Sequence, residues 1–144
     1  MVNARAKGAR GEESVRDLLN KASGLSFERT PGSGSGKIKG DLHLPNKKNI
    51  FCIEVKNYAE SHFNDKIFTS KTNNFVIWWN KLCEQAQACG QEPLLLFRYN
   101  RSKTFVATRQ KPSELKEFLY INWLKCYIML SEEWLKKETI IWQN

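Results

Sequence analysis

Two acids and a lysine lie on the two strands of a predicted hairpin. The segment GDLHLPNKKNIFCIEVKNY (residues 40–58) reads as two strands around the turn PNKK, with Asp41 on the first strand and Glu54 and Lys56 on the second. Side chains alternate along a strand, so the apolar residues that alternate with Glu54 and Lys56 on the second strand face the core. Glu54 and Lys56 then share the opposite face. The hairpin brings Asp41 back toward that pair, so two carboxylates and an ammonium group converge.

This set of groups favours phosphodiester hydrolysis. An Asp and a Glu on adjacent strands offer oxygen ligands to Mg²⁺, which keeps several waters and engages phosphates. The ion can polarise a phosphodiester and lower the pKa of a bound water. A neighbouring lysine can orient or deprotonate that water, or neutralise charge on the phosphate in the transition state. An exposed Glu-x-Lys alone is a common surface feature, so the prediction depends on Asp41 across the hairpin.

A predicted helix from Glu12 to Ala22 contributes a further carboxylate. Its apolar residues have the spacing of one helical stripe. They are Val15, Leu18, Leu19 and Ala22. At about 100° per residue, Glu12 lies roughly 70° from the centre of this stripe and Glu13 about 170° from it. We therefore expect Glu12 to reach the hairpin and Glu13 to face solvent. The alternative is that Glu12 only complements the helix dipole.

The composition indicates a soluble, basic protein. The chain has 144 residues and a formal net charge of +8, with the basic surplus in its first three quarters, which favours polyanions as partners. The apolar runs are much shorter than the ~20 residues of a membrane span, and the first residues lack a secretory pattern. We expect a cytoplasmic, DNA-associated protein without a membrane partner. The cysteines are expected to be reduced core residues; they are Cys52, Cys83, Cys89 and Cys126.

The order of elements predicts an α/β fold. A mixed sheet of five or slightly more strands should be flanked by helices. Strands are expected at 25–29, 41–44, 50–57, 93–99 and 104–108, with a second helix at 75–89. We expect one domain over 1–144, with a core at about 7–110 and a C-terminal appendix at 111–144. The appendix should hold a helix at 114–124 capped by Ser113, a strand at 126–130 and a helix at 131–138.

The motifs together resemble a known nuclease family. KGARGEESVRDLL, FERT, a Gly/Ser loop, GD and IFCIEVKNY are similar to the archaeal-type Holliday junction resolvases, a dimeric group of the PD-(D/E)XK superfamily also represented among phage enzymes. The similarity covers residues 7–58 well and continues more loosely to residue 108. It implies a restriction-endonuclease-like fold and a homodimer that cuts four-way DNA junctions with paired incisions. The implied cofactor is Mg²⁺, for which Mn²⁺ is expected to substitute.

The resemblance also implies roles for individual residues. Glu12, Asp41 and Glu54 take the places of metal-binding acids, with the main-chain carbonyl of Val55 as a further ligand, and Lys56 takes the place of the catalytic lysine. The implied DNA-contact residues are Arg29, Ser33, Ser35, Lys37, Lys39, Arg10 and Lys7. Either Ser33 or Ser35 could match the functional serine of relatives.

Two positions depart from the family pattern. Glu13 replaces a frequent arginine, whose contact Arg10 or Arg16 could supply. Gly40 replaces a frequent proline.

Aromatic residues on the second helix need an explanation. Trp78 and Trp79 are adjacent and cannot both enter one helical core stripe, so we expect Trp78 or Phe75 to join an apolar surface. Phe63 and Phe68 could complete it. Dimerisation is the preferred use, and stacking on unpaired bases is the alternative. His43 and His62 are interpreted as structural or surface residues without a role in the chemistry. Trp123, Trp134 and Trp142 are expected in packing or dimer support.

Two other functions remain open at this point. The first is another PD-(D/E)XK nuclease with a restriction-like, flap or repair substrate. The second is a DNA-binding module without catalysis, against which the joint presence of Asp41, Glu54 and Lys56 argues.

Overall fold

A mixed sheet forms the centre of the protein, and the prediction of an α/β fold is confirmed. The computed structural model describes residues 4–31 and 39–143, within which the sheet has seven strands in the order β1-β2-β3-β4-β5-β7-β6. The strands are β1 Glu28–Arg29, β2 Leu42–His43, β3 Phe51–Tyr58, β4 Glu92–Tyr99, β5 Phe105–Thr108, β6 Leu119–Ile121 and β7 Cys126–Leu130. The helices are α1 Ala4–Ser23, α2 Asn74–Cys89 and α3 Ser131–Lys137, with 3-10 turns at Asp65–Phe68 and Asn122–Leu124.

The central strands β3 and β4 are parallel, and the other strand pairs are antiparallel. A parallel pair requires a crossover connection, which α2 supplies. The apolar run of β4 is buried on both faces. Phe51 and Ile53 pack on one face with α1 and α3, whereas Cys52 packs on the other face with Trp79 of α2. Helix α2 therefore covers the face of β3 that carries Glu54.

Local sequence signals set the ends of the first two helices. The side chain of Asn73 accepts a hydrogen bond from the N–H of Val76 and caps α2, which ends at Gly90 with φ of 68°. Helix α1 ends before Gly24, which also has a positive φ, of 72°. Both helices end at the glycines where the sequence predicts an end. Helix α1 begins eight residues before the expected Glu12.

The prediction of a helix at 114–124 is wrong. Residues 119–121 form β6, which pairs with β7, and the rings of Tyr120 and Tyr127 lie 4.4 Å apart across this pair. The backbone N–H groups of residues 113–115 donate to the carboxylate of Glu138 at 2.6–2.9 Å. Strand pairing with β7 thus outweighs the local helical pattern of this segment, and Glu138 satisfies the N–H groups that precede it.

The C-terminal residues belong to the sheet and its core. Strand β7 pairs with β5, and Trp134 and Trp142 are buried with Phe51. Trp123 is 42% exposed. Among the described helices, none is long and apolar enough to cross a membrane.

The expected surface patch of Phe63, Phe68, Phe75 and Trp78 does not form as one surface. Phe75 is 1% exposed, and Phe63 packs against it in the core. The reason is that β4 and the residues between β3 and α2 cover the face of α2 that carries Phe75. Phe68 remains 59% exposed, and Trp78 is half-buried in a hollow with Phe63 and Phe75.

The cysteines are free thiols. Cys52 and Cys126 are buried, and burial raises the pKa of Cys52 to about 12. Cys89 is exposed, so its expected place in the core is wrong. It is the last residue of α2, beyond the buried residues of that helix, which end at Ala86.

Candidate active site

Two hydrogen bonds hold Asp41 against β3, and a third joins it to Thr30 after β1. Its N–H donates to the carbonyl of Ile53 at 2.6 Å, and its own carbonyl accepts from the N–H of Thr30 at 2.8 Å. Its side-chain Oδ2 accepts from the N–H of Val55 at 2.8 Å. The carboxylate therefore lies beside the strand that carries Glu54 and Lys56, as the hairpin pattern led us to expect.

Gly40 makes this close approach possible. Its φ is +87°, and a Cβ atom at this position would lie 2.6 Å from the carbonyl oxygen and 2.9 Å from the nitrogen of Ile53. Both atoms belong to backbone, which cannot move aside as a side chain can. A glycine in place of the proline that is frequent in relatives thus fits the local geometry, because only glycine tolerates both the positive φ and the contact.

Helix α1 brings Glu12 to the same place. Asp41, Glu54, Val55, Lys56 and Glu12 line one cleft of about 300 Å³. Gly11 allows the helix to approach β3, since a Cβ atom there would lie 2.8 Å from Cβ of Asn57.

The helical phase separates Glu12 from Glu13 as expected. The Glu12 side chain is 24% exposed and the Glu13 side chain 50% exposed. The helix stripe behind this phase is buried at Val15 and Leu19, whereas Ala22 is exposed.

The acids of the cleft are poorly solvated and repel one another. Burial, then the charge of Glu54, raises the pKa of Asp41 to about 7, against the stabilising N–H of Val55. Burial also raises the pKa of Glu54, and Lys56 opposes that rise. The pKa of Glu12 is raised by burial and by the charge of Asp41. Bringing these acids together in ionised form therefore costs free energy that a bound cation would offset.

Lys56 lies between a carboxylate and an aromatic ring. Its Nζ is 3.7 Å from Oε1 of Glu54 and 5.8 Å from the ring centroid of Trp78. Both are favourable positions for an ammonium group. The lysine thus points toward the acids rather than into bulk solvent.

The donor set fits Mg²⁺ in part. Among the residues that the structure describes, no group of three or more His, Cys, Asp or Glu side chains is arranged to hold a metal ion. Mg²⁺ does not need such a cage, because it binds through one or two carboxylates, waters and substrate phosphates. Asp41 and Glu54, whose pKa values are raised by burial, have the oxygen chemistry for this mode of binding. Glu12 contacts Arg29 at 3.5 Å instead.

Some of the residues expected to contact DNA line the cleft, and others lie outside it. Arg29 contacts both Glu12 and Glu13, at 3.5 and 3.6 Å. Lys7 lines the cleft and donates from Nζ to Oδ1 of Asn100 at 2.6 Å, and Arg10 is exposed on α1.

Lys39 lies in a separate hollow with the turn lysines Lys47 and Lys48. Ser33, Ser35 and Lys37 lie outside the described residues.

Sequence reasoning missed the contribution of α2 to the site. Trp78, Lys81 and Gln85 line a second hollow of about 120 Å³ that also contains Glu54 and Lys56. Their spacing of three and four residues places them on one helix face. That periodicity was visible in the sequence, but nothing local showed that this face meets β3.

The two histidines have structural contacts, in agreement with the sequence interpretation. His43 is buried, with Nδ1 3.2 Å from Oγ1 of Thr30. His62 packs edge-on against Tyr58 and Trp78.

The chain is similar to known proteins in sequence and in fold. A family model described as "Phage putative PDDEXK endonuclease" matches residues 3–139. Protein D14 of Escherichia phage T5 is 34% identical over 113 residues, which are 74% of this chain and 71% of that protein. The solved structure of Archaeoglobus fulgidus Hjc, a Holliday junction resolvase from an archaeal hyperthermophile, aligns with a TM-score of 0.46 and 18% identity over 93% of this chain and 92% of that one.

Proposed function

Because the chain belongs to the phage PDDEXK endonuclease family, we propose that it is a structure-selective endodeoxyribonuclease that resolves four-way DNA junctions by metal-dependent hydrolysis. The observation that carries this proposal is the shared cleft of Glu12, Asp41, Glu54 and Lys56. We assign the activity to branched DNA in the cytoplasm, where it would serve recombination or repair.

Asp41 and Glu54 are the residues that would hold Mg²⁺, with Glu12 and the Val55 carbonyl as further ligands and Mn²⁺ as the expected substitute. When bound, the ion supplies Lewis-acid polarisation of the scissile phosphodiester. Lys56 is close enough to Glu54 to share its side of the cleft, where it can orient the attacking water or neutralise charge on the phosphate. Asp41 is kept in place by the Val55 N–H while these groups act.

Basic residues around the cleft would bind the DNA backbone. Arg29 reaches Glu12 and Glu13, so it can both hold the helix acid and meet a phosphate. Lys7 lines the cleft, the exposed Arg10 lies on α1, and Lys39 lines a hollow with two further lysines. Ser33, Ser35 and Lys37 are assigned the same role on sequence alone. Such contacts position the duplex and carry no base preference.

Paired incisions require two active sites, which we assign to a homodimer. The strands of a four-way junction are arranged about a two-fold, and a symmetric dimer matches that arrangement. Exposed apolar side chains surround the edge strand β6 and support a contact between copies there; they are Phe68, Leu119, Tyr120 and Trp123. We name these four residues the edge patch. Sedimentation of the wild type and of Trp123→Ala tests it, and a wild-type monomer at micromolar concentration contradicts it.

A comparison of DNA substrates tests the proposed function. Wild-type protein with Mg²⁺ should cut a labelled four-way junction faster than a Y-shaped fork or a linear duplex of the same arm sequences. Faster cleavage of the fork or the duplex instead favours another PD-(D/E)XK nuclease. Tight junction binding without cleavage in Mg²⁺ or Mn²⁺ favours a binding module that has lost catalysis.

A further inference from the structure

Tyr58, at the end of β3, lies beside the candidate catalytic residues and is stacked on Trp78. We propose that its ring is a stacking platform for an unpaired nucleobase next to the scissile phosphate. The inference rests on the proposed nuclease function and specifies that a nucleotide next to the branch point of the four-way junction is unpaired when it is bound.

The position of Tyr58 follows from strand alternation. Glu54, Lys56 and Tyr58 are two residues apart along β3, so they share one face of the strand. The Cα atoms of Lys56 and Tyr58 are about 7 Å apart at the rise of an extended strand. Both residues line the cleft that contains Asp41. A base that stacks on Tyr58 therefore belongs to a nucleotide close to the one whose phosphate meets Lys56.

The aromatic groups are already arranged for stacking. The rings of Tyr58 and Trp78 have centroids 4.8 Å apart and an interplanar angle of 23°. His62 packs edge-on against both rings, at 5.8 and 5.3 Å. Tyr58 is nevertheless 40% exposed, so aromatic surface remains accessible to a ligand. A platform fixed in this way loses little side-chain freedom when a base stacks on it.

Cations lie beside Tyr58, within the same cleft as the three acids. The ammonium group of Lys56 lies 5.8 Å from the Trp78 centroid, and Lys7 lines the same cleft as Tyr58. Arg98 lines a second hollow that also contains Tyr58 and the acid Glu60. The buried Nε of Arg98 has no hydrogen-bond partner within the described residues. Cations beside an aromatic platform are the combination that binds single-stranded nucleic acid.

Fluorescence of 2-aminopurine, a base analogue that is quenched on stacking, tests the platform. The probe is placed at the unpaired nucleotide beside the branch of a Y-shaped fork, or within a fully paired duplex, and binding is measured in EDTA. Wild-type protein and Tyr58→Phe should quench the unpaired probe, and Tyr58→Leu should not. Tyr58→Phe is the matched control because it keeps the aromatic ring at the same place and removes only the hydroxyl group.

Kinetics give a second readout in Mg²⁺. Tyr58→Leu should raise KM for branched DNA roughly 5- to 150-fold, the range expected for loss of one base–aromatic stack, with kcat within about threefold. An equal rise in KM for a paired duplex, or unchanged quenching by Tyr58→Leu, overturns the platform and leaves the nuclease proposal standing.

The wild type alone also tests the platform if Tyr58→Leu does not fold. Equal quenching at paired and unpaired probe positions overturns it, and quenching confined to the unpaired position supports it. A wild type that cuts no DNA overturns the proposed function, and the fluorescence in EDTA still decides the question of stacking.

Discussion

The backbone N–H of Val55 donates a hydrogen bond of 2.8 Å to the side chain of Asp41, which lies 14 positions earlier in the chain. This bond holds the first acid of the hairpin beside the second, Glu54, although burial and repulsion raise the pKa of both. The fold therefore holds together two carboxylates whose ionisation costs free energy, which the proposed cation would offset.

Replacement of Asp41 should change the pH dependence of stability. The pKa of Asp41 rises from 3.8 to about 7 on folding, so its favourable contribution is complete below pH 4 and is lost as the pH rises through 7. In EDTA, Asp41→Asn should therefore gain unfolding free energy relative to the wild type between pH 4 and 7. The gain should be on the order of a few kcal/mol, since one pKa unit corresponds to ~1.4 kcal/mol.

Urea unfolding at several pH values measures this difference. Asp17→Asn removes the same charge from an exposed side chain of α1 and is the control for net charge. A constant difference between Asp41→Asn and the wild type across this pH range would show that Asp41 is not desolvated.

Mg²⁺ should stabilise the wild type near pH 7.5. A ligand that binds only the folded state at 100 times its Kd adds about 2.7 kcal/mol of stability. Thermal unfolding with increasing MgCl₂ should raise Tm for the wild type, and the rise should be absent in Asp41→Asn and Glu54→Gln. An equal rise in all three proteins means that the ion binds elsewhere.

The two adjacent acids of α1 should differ in function. Glu12 lines the cleft and Glu13 does not, although Arg29 contacts both. Glu12→Gln should lower the rate of junction cleavage by about 10- to 100-fold, as expected when a supporting group of a metal site is lost. Glu13→Gln should stay within about threefold of the wild type. Equal cleavage rates for the two variants would show that the positions of Glu12 and Glu13 around the helix do not determine their roles in cleavage.

Gly40 and Gly24 form a matched pair for substitution by alanine. Both have a positive φ, but a Cβ atom at Gly40 meets the backbone of Ile53, and one at Gly24 meets nothing within 4 Å. Gly24→Ala should cost about 1 kcal/mol of unfolding free energy. Gly40→Ala should cost about 3 kcal/mol or more and also slow cleavage, because Asp41 must move. Similar costs in urea unfolding would contradict the close approach.

Short-range periodicity explains which parts of the site could be predicted. The period of two residues in β3 placed Glu54 and Lys56 on one face, and the helical period of α1 separated Glu12 from Glu13. The helix face of Trp78 and Lys81 was not predicted to reach Glu54, because the parallel crossover that brings α2 over β3 depends on long-range packing. The helix prediction for residues 114–124 was wrong for the same reason, since pairing with β7 outweighs the local helical pattern of this segment.

Cleavage of a labelled four-way junction in Mg²⁺ is the most direct measurement of the central claim. The wild type should make paired incisions on strands of like polarity. Asp41→Asn, whose amide oxygen can still accept from the Val55 N–H, should bind the junction and cut it at least 100-fold more slowly, as expected for loss of a catalytic group. Cleavage by Asp41→Asn at the wild-type rate would contradict a site built on Asp41 and Glu54.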